Sequence, residues 1–205
     1  YADPSQGGIL GLLKQKATMS ERYHAGGPVG YTITLMLAVG LLIGLYKMIT
    51  LTITGGKMRS QLKNVNNPSE GNPLGRILKV YQENKTADAE NLELKLDEAI
   101  LRELPKIESG INVIKIFAAI APLLGLLGTV TGMINTFQAI TLFGTGDPKL
   151  MAGGISTALV TTVLGLVVAI PMTLLYAMLN TRSKNIVYIL QEQASGVIAE
   201  RAERG

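Results

Sequence analysis

The residues with the clearest chemical potential in this 205-residue sequence are hydroxyl side chains within two long uncharged segments. Ile116–Phe143 and Leu150–Asn180 contain no Asp, Glu, Lys, Arg or His, and only Asp147 and Lys149 carry charge between them. The segments nevertheless contain a series of small polar residues: Thr129, Thr131, Asn135, Thr136, Ser156, Thr157, Thr161, Thr162 and Thr173. Such side chains can line a path for water or ions, but they cannot carry a proton as a carboxylate does.

The spacing of these hydroxyls indicates two polar faces. In the first segment, small and hydroxyl residues recur at helical spacing: Gly125, Thr129, Gly132 and Thr136. In the second segment, hydroxyls cluster within two helical turns: Ser156, Thr157, Thr161 and Thr162. A single Thr in a membrane helix usually donates to its own backbone one turn back. If the two faces meet, they form a narrow uncharged path, and the candidates for lining it are Thr129, Thr136, Thr157, Thr161 and Thr162.

Both segments are long enough to cross a membrane as helices. A hydrocarbon core of ~30 Å needs about 20 helical residues. A third apolar segment, Pro28–Tyr46, lies upstream. It is longer than the apolar region of a signal peptide and follows a mixed polar segment, which favours a true span. The sequence therefore predicts an all-α membrane protein with three transmembrane helices and long cytoplasmic helical extensions.

Small residues predict close contact between the second and third spans. Helices in a bilayer have no hydrophobic drive to associate, so association depends on packing at small residues. The predicted packing residues are Gly125, Gly128 and Gly132 on the second span, and Gly153, Gly154, Ala158 and Gly165 on the third. Pro122 and Pro171 lie in the same spans, where we expect kinks.

Basic residues predict the orientation of the spans. Lys and Arg concentrate in the segment between the first and second spans and after the third, whereas the turn between the second and third spans offers only Lys149. Basic flanks mark the cytoplasmic side. The predicted organisation is a periplasmic segment (1–27), a first transmembrane helix (28–54), a cytoplasmic helical segment (55–110), a second transmembrane helix (111–143), a periplasmic turn (144–150), a third transmembrane helix (151–181) and a cytoplasmic C-terminal helix (182–205).

The N-terminal segment leaves two alternatives open. Ile9–Lys16 is interpreted either as a short amphipathic helix on the membrane surface or as a frayed terminus. The sequence starts at Tyr1 without an initiator Met, which indicates either a cleaved signal peptide or a portion of a longer protein. Gly26, Gly27 and Pro28 predict a break before the first span.

The cytoplasmic segment has helical periodicity with interruptions. Gly55-Gly56 is expected to interrupt the chain after the first span. Asn72 and Pro73 are typical of an N-cap and a first helical position, and they predict a helix over Leu74–Asn84. A stripe with spacings of three and four then runs into the second span: Leu92, Leu96, Ile100, Leu104, Ile107, Ile111 and Ile114. This stripe predicts one long helix bent near Pro105, packed against neighbouring helices.

Composition disfavours several classes of function. The sequence has no cysteine and one histidine, His24, so neither thiol chemistry nor a metal constellation is visible. The sequence shows neither a nucleophile nor an acid–base pair of the kind that an enzyme needs, and no cofactor is expected. The net charge of +4 comes from membrane flanks and does not predict nucleic-acid binding.

Two motifs resemble those of a known family. Ala121–Phe137, APLLGLLGTVTGMINTF, is similar to the first signature of the MotA/TolQ/ExbB proton-channel family. Gly154–Leu166, GISTALVTTVLGL, followed by Ala169–Pro171, is similar to the second. The resemblance is dense over Leu101–Gln191, and within the family it favours an ExbB-like subunit, of the TtpC type found in auxiliary TonB systems.

The resemblance implies a machine of two kinds of subunit in a bacterial inner membrane. In the family, a homopentamer forms the pore and encloses an ExbD-like single-span protein. An intramembrane Asp of that protein carries the proton, and its movement acts on a TonB-like protein. The family's two pore-facing threonines correspond to Thr129 and Thr162. One position departs from the ExbB pattern, because Thr157 stands where the best-known ExbB proteins carry Glu.

The functional prediction is therefore a stator or motor subunit that converts proton-motive force into energy for TonB-dependent transport. The alternatives are a structural scaffold that holds a partner without ion flux and a TolQ- or MotA-like motor that serves another system. A solute transporter is disfavoured, since three unequal spans show none of the internal repeats that such proteins have. In this prediction the carboxylate that selects the ion belongs to the partner, because Ile116–Phe143 and Leu150–Asn180 contain none.

Overall fold

The structure, a computed structural model, describes residues 23–144 and 148–204. The helices are α1 (Gly27–Leu62), α2 (Pro73–Glu83), α3 (Ala89–Glu108), α4 (Ile111–Phe143) and α5 (Pro148–Arg204). No strand occurs among the described residues. The predicted all-α fold is therefore confirmed, while the prediction for Ile9–Lys16 lies outside the described residues.

Three helices contain apolar stretches able to cross a membrane. These stretches lie in α1, α4 and α5, which have 36, 33 and 57 residues respectively. At about 1.5 Å per residue, a hydrocarbon core ~30 Å thick needs about 20 helical residues. Each of the three helices is therefore longer than a membrane crossing requires.

The described residues belong to two compact units. The first unit consists of residues 23–38, 117–144 and 148–170. The second consists of residues 39–116 and 171–204. The hydroxyl-bearing parts of α4 and α5 thus fall in the first unit, and the charged helices α2 and α3 fall in the second.

The start of α1 agrees with the predicted break. The amide of Gly26 donates to the carbonyl of Tyr23 at 3.0 Å, and Gly27 adopts a φ of +57°. This left-handed conformation is readily adopted by glycine. The prediction for Gly55-Gly56 is wrong, because α1 continues through both glycines to Leu62. A long helix tolerates the cost of about 1 kcal/mol per glycine because its ladder of backbone hydrogen bonds continues on both sides.

The N-terminus of α2 is formed as predicted. Asn72 has extended backbone angles, φ −145° and ψ 155°, and its Oδ1 accepts a hydrogen bond from the amide of Gly75 at 2.7 Å. Pro73 occupies the first turn, where its missing amide hydrogen has no consequence. The buried face of α2 includes Leu74 and Ile77, and α2 packs against α3.

The junction of α3 and α4 differs from the prediction of one continuous bent helix. The helix α3 ends at Glu108, and Gly110 adopts a φ of +79° before α4 begins. Lys47, which is 7% exposed, donates from Nζ to the carbonyls of Lys106 at 3.0 Å and Ile107 at 3.2 Å. A lysine can satisfy carbonyls that the end of a helix leaves without partners. The helix α3 thus continues past Pro105, and the break lies at Gly110, next to the carbonyls that Lys47 satisfies.

Candidate functional site

The first unit brings α4 and α5 into close backbone contact. A Cβ atom added at Gly125 would lie 3.0 Å from the carbonyl oxygen of Thr161, and one at Gly165 would lie 2.7 Å from the carbonyl oxygen of Ala121. Only residues without a larger side chain permit this approach, as expected for helices that pack within a membrane. The prediction is wrong for Gly153, where an added Cβ would meet no atom within 4 Å.

Thr129 of α4 and Thr162 of α5 form the central polar contact of this helix pair. Their hydroxyl oxygens lie 2.5 Å apart, and both residues are half-buried. The Thr129 hydroxyl also lies 3.1 Å from the carbonyl of Gly125 on its own helix and 3.3 Å from the carbonyl of Ala158 on α5. The Thr162 hydroxyl lies 3.1 Å from the same Ala158 carbonyl. The two polar faces predicted from spacing therefore meet at this pair.

The geometry of the pair defines what it can do chemically. Two hydroxyls supply two protons, and two carbonyls together with the hydroxyl oxygens themselves can accept them. Both protons can therefore be used while the hydroxyl oxygens keep lone pairs for a further donor, such as water or a protonated carboxylic acid. Neither hydroxyl ionises near neutral pH, so the pair can accept or pass a hydrogen bond but cannot store charge.

Thr136 and Thr161 are buried inside the contact between α4 and α5. Thr161 is fully buried and donates to the carbonyls of Thr157 and Ala158, both at 3.0 Å. Thr136 is 3% exposed and donates to the carbonyl of Gly132 at 3.0 Å. Their side chains occupy the space left by glycines of the facing helix, Thr161 against Gly128 and Thr136 against Gly154. Within this single chain, both threonines contribute to helix packing.

Thr157 differs from the other four candidates. It is half-buried, and its hydroxyl donates to the carbonyl of Gly153 one turn back at 3.1 Å. This is the bond that a threonine in a membrane helix ordinarily makes. The five candidates therefore form three groups: a paired set of Thr129 and Thr162, a buried set of Thr136 and Thr161, and the locally bonded Thr157.

A polar cluster at the start of α1 was not predicted from the sequence. The Tyr23 hydroxyl donates to the Thr34 hydroxyl at 2.8 Å, and His24 Nδ1 lies 2.5 Å from the Tyr31 hydroxyl. The rings of Tyr23 and Tyr31 also meet edge to face, with centroids 5.7 Å apart. In the sequence, this cluster is indicated only by a histidine that lies seven residues before a tyrosine at the start of a helix. Among the described residues, no three His, Cys, Asp or Glu lie close enough together to hold a metal ion.

The second unit contains an ion pair between a buried carboxylate and a half-exposed guanidinium group that the sequence also did not reveal. Arg76 of α2 donates from Nε to Glu103 Oε1 at 2.8 Å and from Nη2 to Oε2 at 2.6 Å. Lys106 adds a contact of 3.1 Å to Oε1. The hydrogen bonds from Arg76 hold the pKa of Glu103 below its usual value and outweigh burial, which acts in the opposite direction. The pair fastens α2 to α3 and lies outside the hydroxyl-bearing part of the chain.

Comparison with known proteins places this geometry in context. The family model described as the MotA/TolQ/ExbB proton channel family matches residues 69–192, which is more than half of the chain. The matched region includes the whole of α4, the part of α5 that contains Thr162, and the ion pair of Arg76 and Glu103.

Individual relatives cover different shares of the chain. An ExbB homolog for biopolymer transport from Methanothermobacter thermautotrophicus is 28% identical over 180 residues, 80% of this chain and 64% of the relative. The biopolymer transport protein ExbB of Xanthomonas campestris is 37% identical over 83 residues, 40% of this chain and 33% of the relative. The Tol-Pal system protein TolQ of Pseudomonas aeruginosa is 33% identical over 89 residues, 43% of this chain and 38% of the relative. The chain thus spans 64% or less of the length of each relative.

Proposed function

The chain belongs to the MotA/TolQ/ExbB proton channel family, and from this membership we propose that it is an ExbB-like stator subunit of a bacterial inner-membrane proton channel. In this role it converts proton-motive force into energy for TonB-dependent transport across the outer membrane. Its N-terminus is periplasmic and its C-terminus is cytoplasmic, because Lys and Arg flank the spans on the cytoplasmic side.

One observation carries the proposal: the contact of 2.5 Å between the hydroxyls of Thr129 and Thr162 on two helices without charge. A proton path through a membrane needs groups that exchange hydrogen bonds and a group that titrates. The threonine pair supplies the first requirement. The two segments that carry it, Ile116–Phe143 and Leu150–Asn180, contain no carboxylate. The second requirement therefore falls to a partner.

The partner in this proposal is an ExbD-like single-span protein with an aspartate in its span. Five copies of the chain surround it, with Thr129 and Thr162 facing the pore and Thr157 contributing further polarity. The movement of this partner acts on a TonB-like protein, as in the TtpC type of auxiliary TonB system. Thr136 and Thr161 act from inside the helix contact, where they maintain the spacing of the pore-lining helices.

Substitution of the paired threonines tests the proposal. Val has the shape of Thr without the hydroxyl, so Thr129→Val and Thr162→Val each remove a hydrogen-bonding group and leave packing nearly unchanged. We expect each variant to reduce proton-driven uptake in cells by about five- to tenfold, since one hydrogen bond is worth about 1–1.5 kcal/mol in a barrier. The measurement is uptake of a TonB-dependent ligand at matched protein levels.

Thr141→Val is the matched control. Thr141 is exposed on α4 and donates to the carbonyl of Phe137 on its own helix at 2.9 Å. The control variant should retain normal uptake, and all variants should retain the oligomer and the bound partner. Normal uptake by both Thr129→Val and Thr162→Val would contradict the pore assignment.

A second candidate function is that of a TolQ-like motor that serves another envelope system. The similarity to the TolQ protein named above supports this candidate. The scaffold alternative differs from both because it needs no ion flux. The two motors are distinguished by the phenotype of a deletion strain. Loss of TonB-dependent uptake supports the ExbB-like function, whereas a defect in envelope integrity with normal uptake supports the TolQ-like function.

A further inference from the structure

A groove of about 510 Å³ lies between α1 and α5 in the second unit. Two glycines, Gly55 and Gly56, form part of its lining, and a Cβ atom added at either would meet no atom within 4 Å. The remaining lining combines two arginines, two polar residues and three aliphatic residues: Arg59, Arg182, Thr52, Asn185, Leu51, Ile186 and Ile189. The groove is therefore open above the glycines, and each helix contributes both a basic and an aliphatic side chain to its lining.

The groove carries positive charge without an acidic counterpart. No Asp or Glu lines the groove, and the first carboxylate that either helix supplies is Glu192, three residues beyond Ile189 on α5. Arg182 donates from Nη1 to the hydroxyl of Thr52, which fixes one edge of its guanidinium group. Its other donors remain available. A planar guanidinium that is held in place suits phosphate, which accepts two parallel N–H bonds.

The position of the groove along the helices points to lipid. Ile49 and Ile53, which precede it on α1, are each 52% exposed, and the charge-free part of α5 ends at Asn180, just before Arg182. The groove thus begins where the apolar surface of both helices ends, the level at which phospholipid headgroups lie. Basic pockets between transmembrane helices at this level suit anionic headgroups.

We propose that this groove binds the headgroup of an anionic phospholipid, with the phosphate between Arg59 and Arg182 and the acyl chains along the exposed apolar face of α1. In the orientation proposed above, this lipid belongs to the cytoplasmic leaflet. The binding itself depends neither on ion flux nor on the threonine pair. A carboxylate from a second copy of the chain is the competing occupant, and inorganic phosphate is the competing source of the same anion.

Native mass spectrometry of the full chain, released from nanodiscs of phosphatidylcholine with a minor share of phosphatidylglycerol, tests the proposal. Retained lipid should be enriched in phosphatidylglycerol. Each basic residue near a membrane surface contributes a factor of about five to binding of an anionic lipid. Arg59→Gln and Arg182→Gln should therefore each lower retention about fivefold, and the double variant about thirtyfold. Arg182→Lys should retain more lipid than Arg182→Gln.

Lys184→Gln is the matched control, because it removes the same charge from an exposed position on α5 that does not line the groove. It should leave retention unchanged. Three results would overturn the proposal: equal enrichment in wild type and the double variant, an equal loss in Lys184→Gln, or full displacement of phosphatidylglycerol by inorganic phosphate. A cross-link from position 59 to an acidic residue of a second copy would instead assign the groove to that copy. None of these readouts measures uptake, so their failure is separate from failure of the proposed function.

Discussion

Glu103 is a carboxylate that is 4% exposed, and its interactions show how single residues hold the second unit together. Its two oxygens accept both parallel bonds from Arg76, the strongest form of charged hydrogen bond in proteins. The same contact raises the pKa of Arg76 and lowers that of Glu103. Removing the charge of Glu103 should therefore loosen the contact between α2 and α3.

Acid should weaken this contact. The pKa of Glu103 is lower in the folded chain than the value of about 4.3 for an unfolded chain, so the pair contributes its full stability above that value. The contribution is lost as the pH falls through the folded-state pKa. We expect a loss of about 1 kcal/mol, because Arg76 is partly exposed and solvent screens the pair. Hydrogen exchange of the α2 and α3 amides between about pH 6 and pH 3, corrected for intrinsic rates, measures it.

Two variants separate this effect from general acid sensitivity. Glu103→Gln should be less stable at neutral pH and should lack the additional loss in acid. Glu70→Gln should behave like wild type in α2 and α3, because the ion pair of Glu70 and Lys79 is exposed. An unchanged pH profile in Glu103→Gln would show that another group is responsible.

Among the elements, the contact of α4 and α5 depends most directly on residue size. Gly128 faces the side chain of Thr161, which is fully buried. Gly154 faces Thr136 in the same manner. Each glycine of one helix thus accommodates a threonine of the other, and the position of the Thr129 and Thr162 hydroxyls depends on this close approach.

Gly128→Ala should therefore destabilise the helix pair. The added methyl group would collide with the Thr161 side chain, and overpacking of this kind costs about 1–3 kcal/mol. Thr161→Ala in the same chain should restore most of the loss, which a double-mutant cycle detects by unfolding in SDS. Gly153→Ala, where the methyl group would meet no atom within 4 Å, should be neutral or stabilising. Additive effects of Gly128→Ala and Thr161→Ala would contradict this contact.

Local signals explain why much of these elements was predictable. Charge is costly in hydrocarbon, so the charge-free segments located three spans, and the Asn72-Pro73 pair located the start of α2. Helical spacing placed Thr129 on the face that meets α5. These inferences need only residues that are near one another in sequence.

Contacts between distant residues explain what the sequence did not reveal. Beside the break at Gly110, Lys47, about 60 residues earlier, satisfies carbonyls in the last turn of α3. The ion pair of Arg76 and Glu103 joins residues 27 positions apart. Neither partner can be identified from spacing alone, because many other Lys, Arg and Glu residues offer the same chemistry.

For the whole molecule, the distribution of ionisable groups determines what the chain can do alone. The charge-free segments of α4 and α5 contain no Asp, Glu, Lys, Arg or His, while the basic groove and the ion pair of Arg76 and Glu103 both lie in the second unit. A water-filled path lined by hydroxyls would still lack a group that binds and releases a proton. Ion flux should therefore be a property of an assembly and not of this chain.

Liposomes test this directly. Vesicles that contain only this chain should acidify no faster than empty vesicles when a pH gradient and a membrane potential are imposed. Vesicles that contain the chain with a single-span partner bearing an intramembrane Asp should acidify faster, and changing that Asp to Asn should abolish the difference, since an amide does not titrate. Thr129→Val in the same assembly should reduce the rate by about tenfold. Proton flux through the chain alone would contradict the inference that a partner supplies the titrating group. Absence of flux from an intact assembly would favour the scaffold.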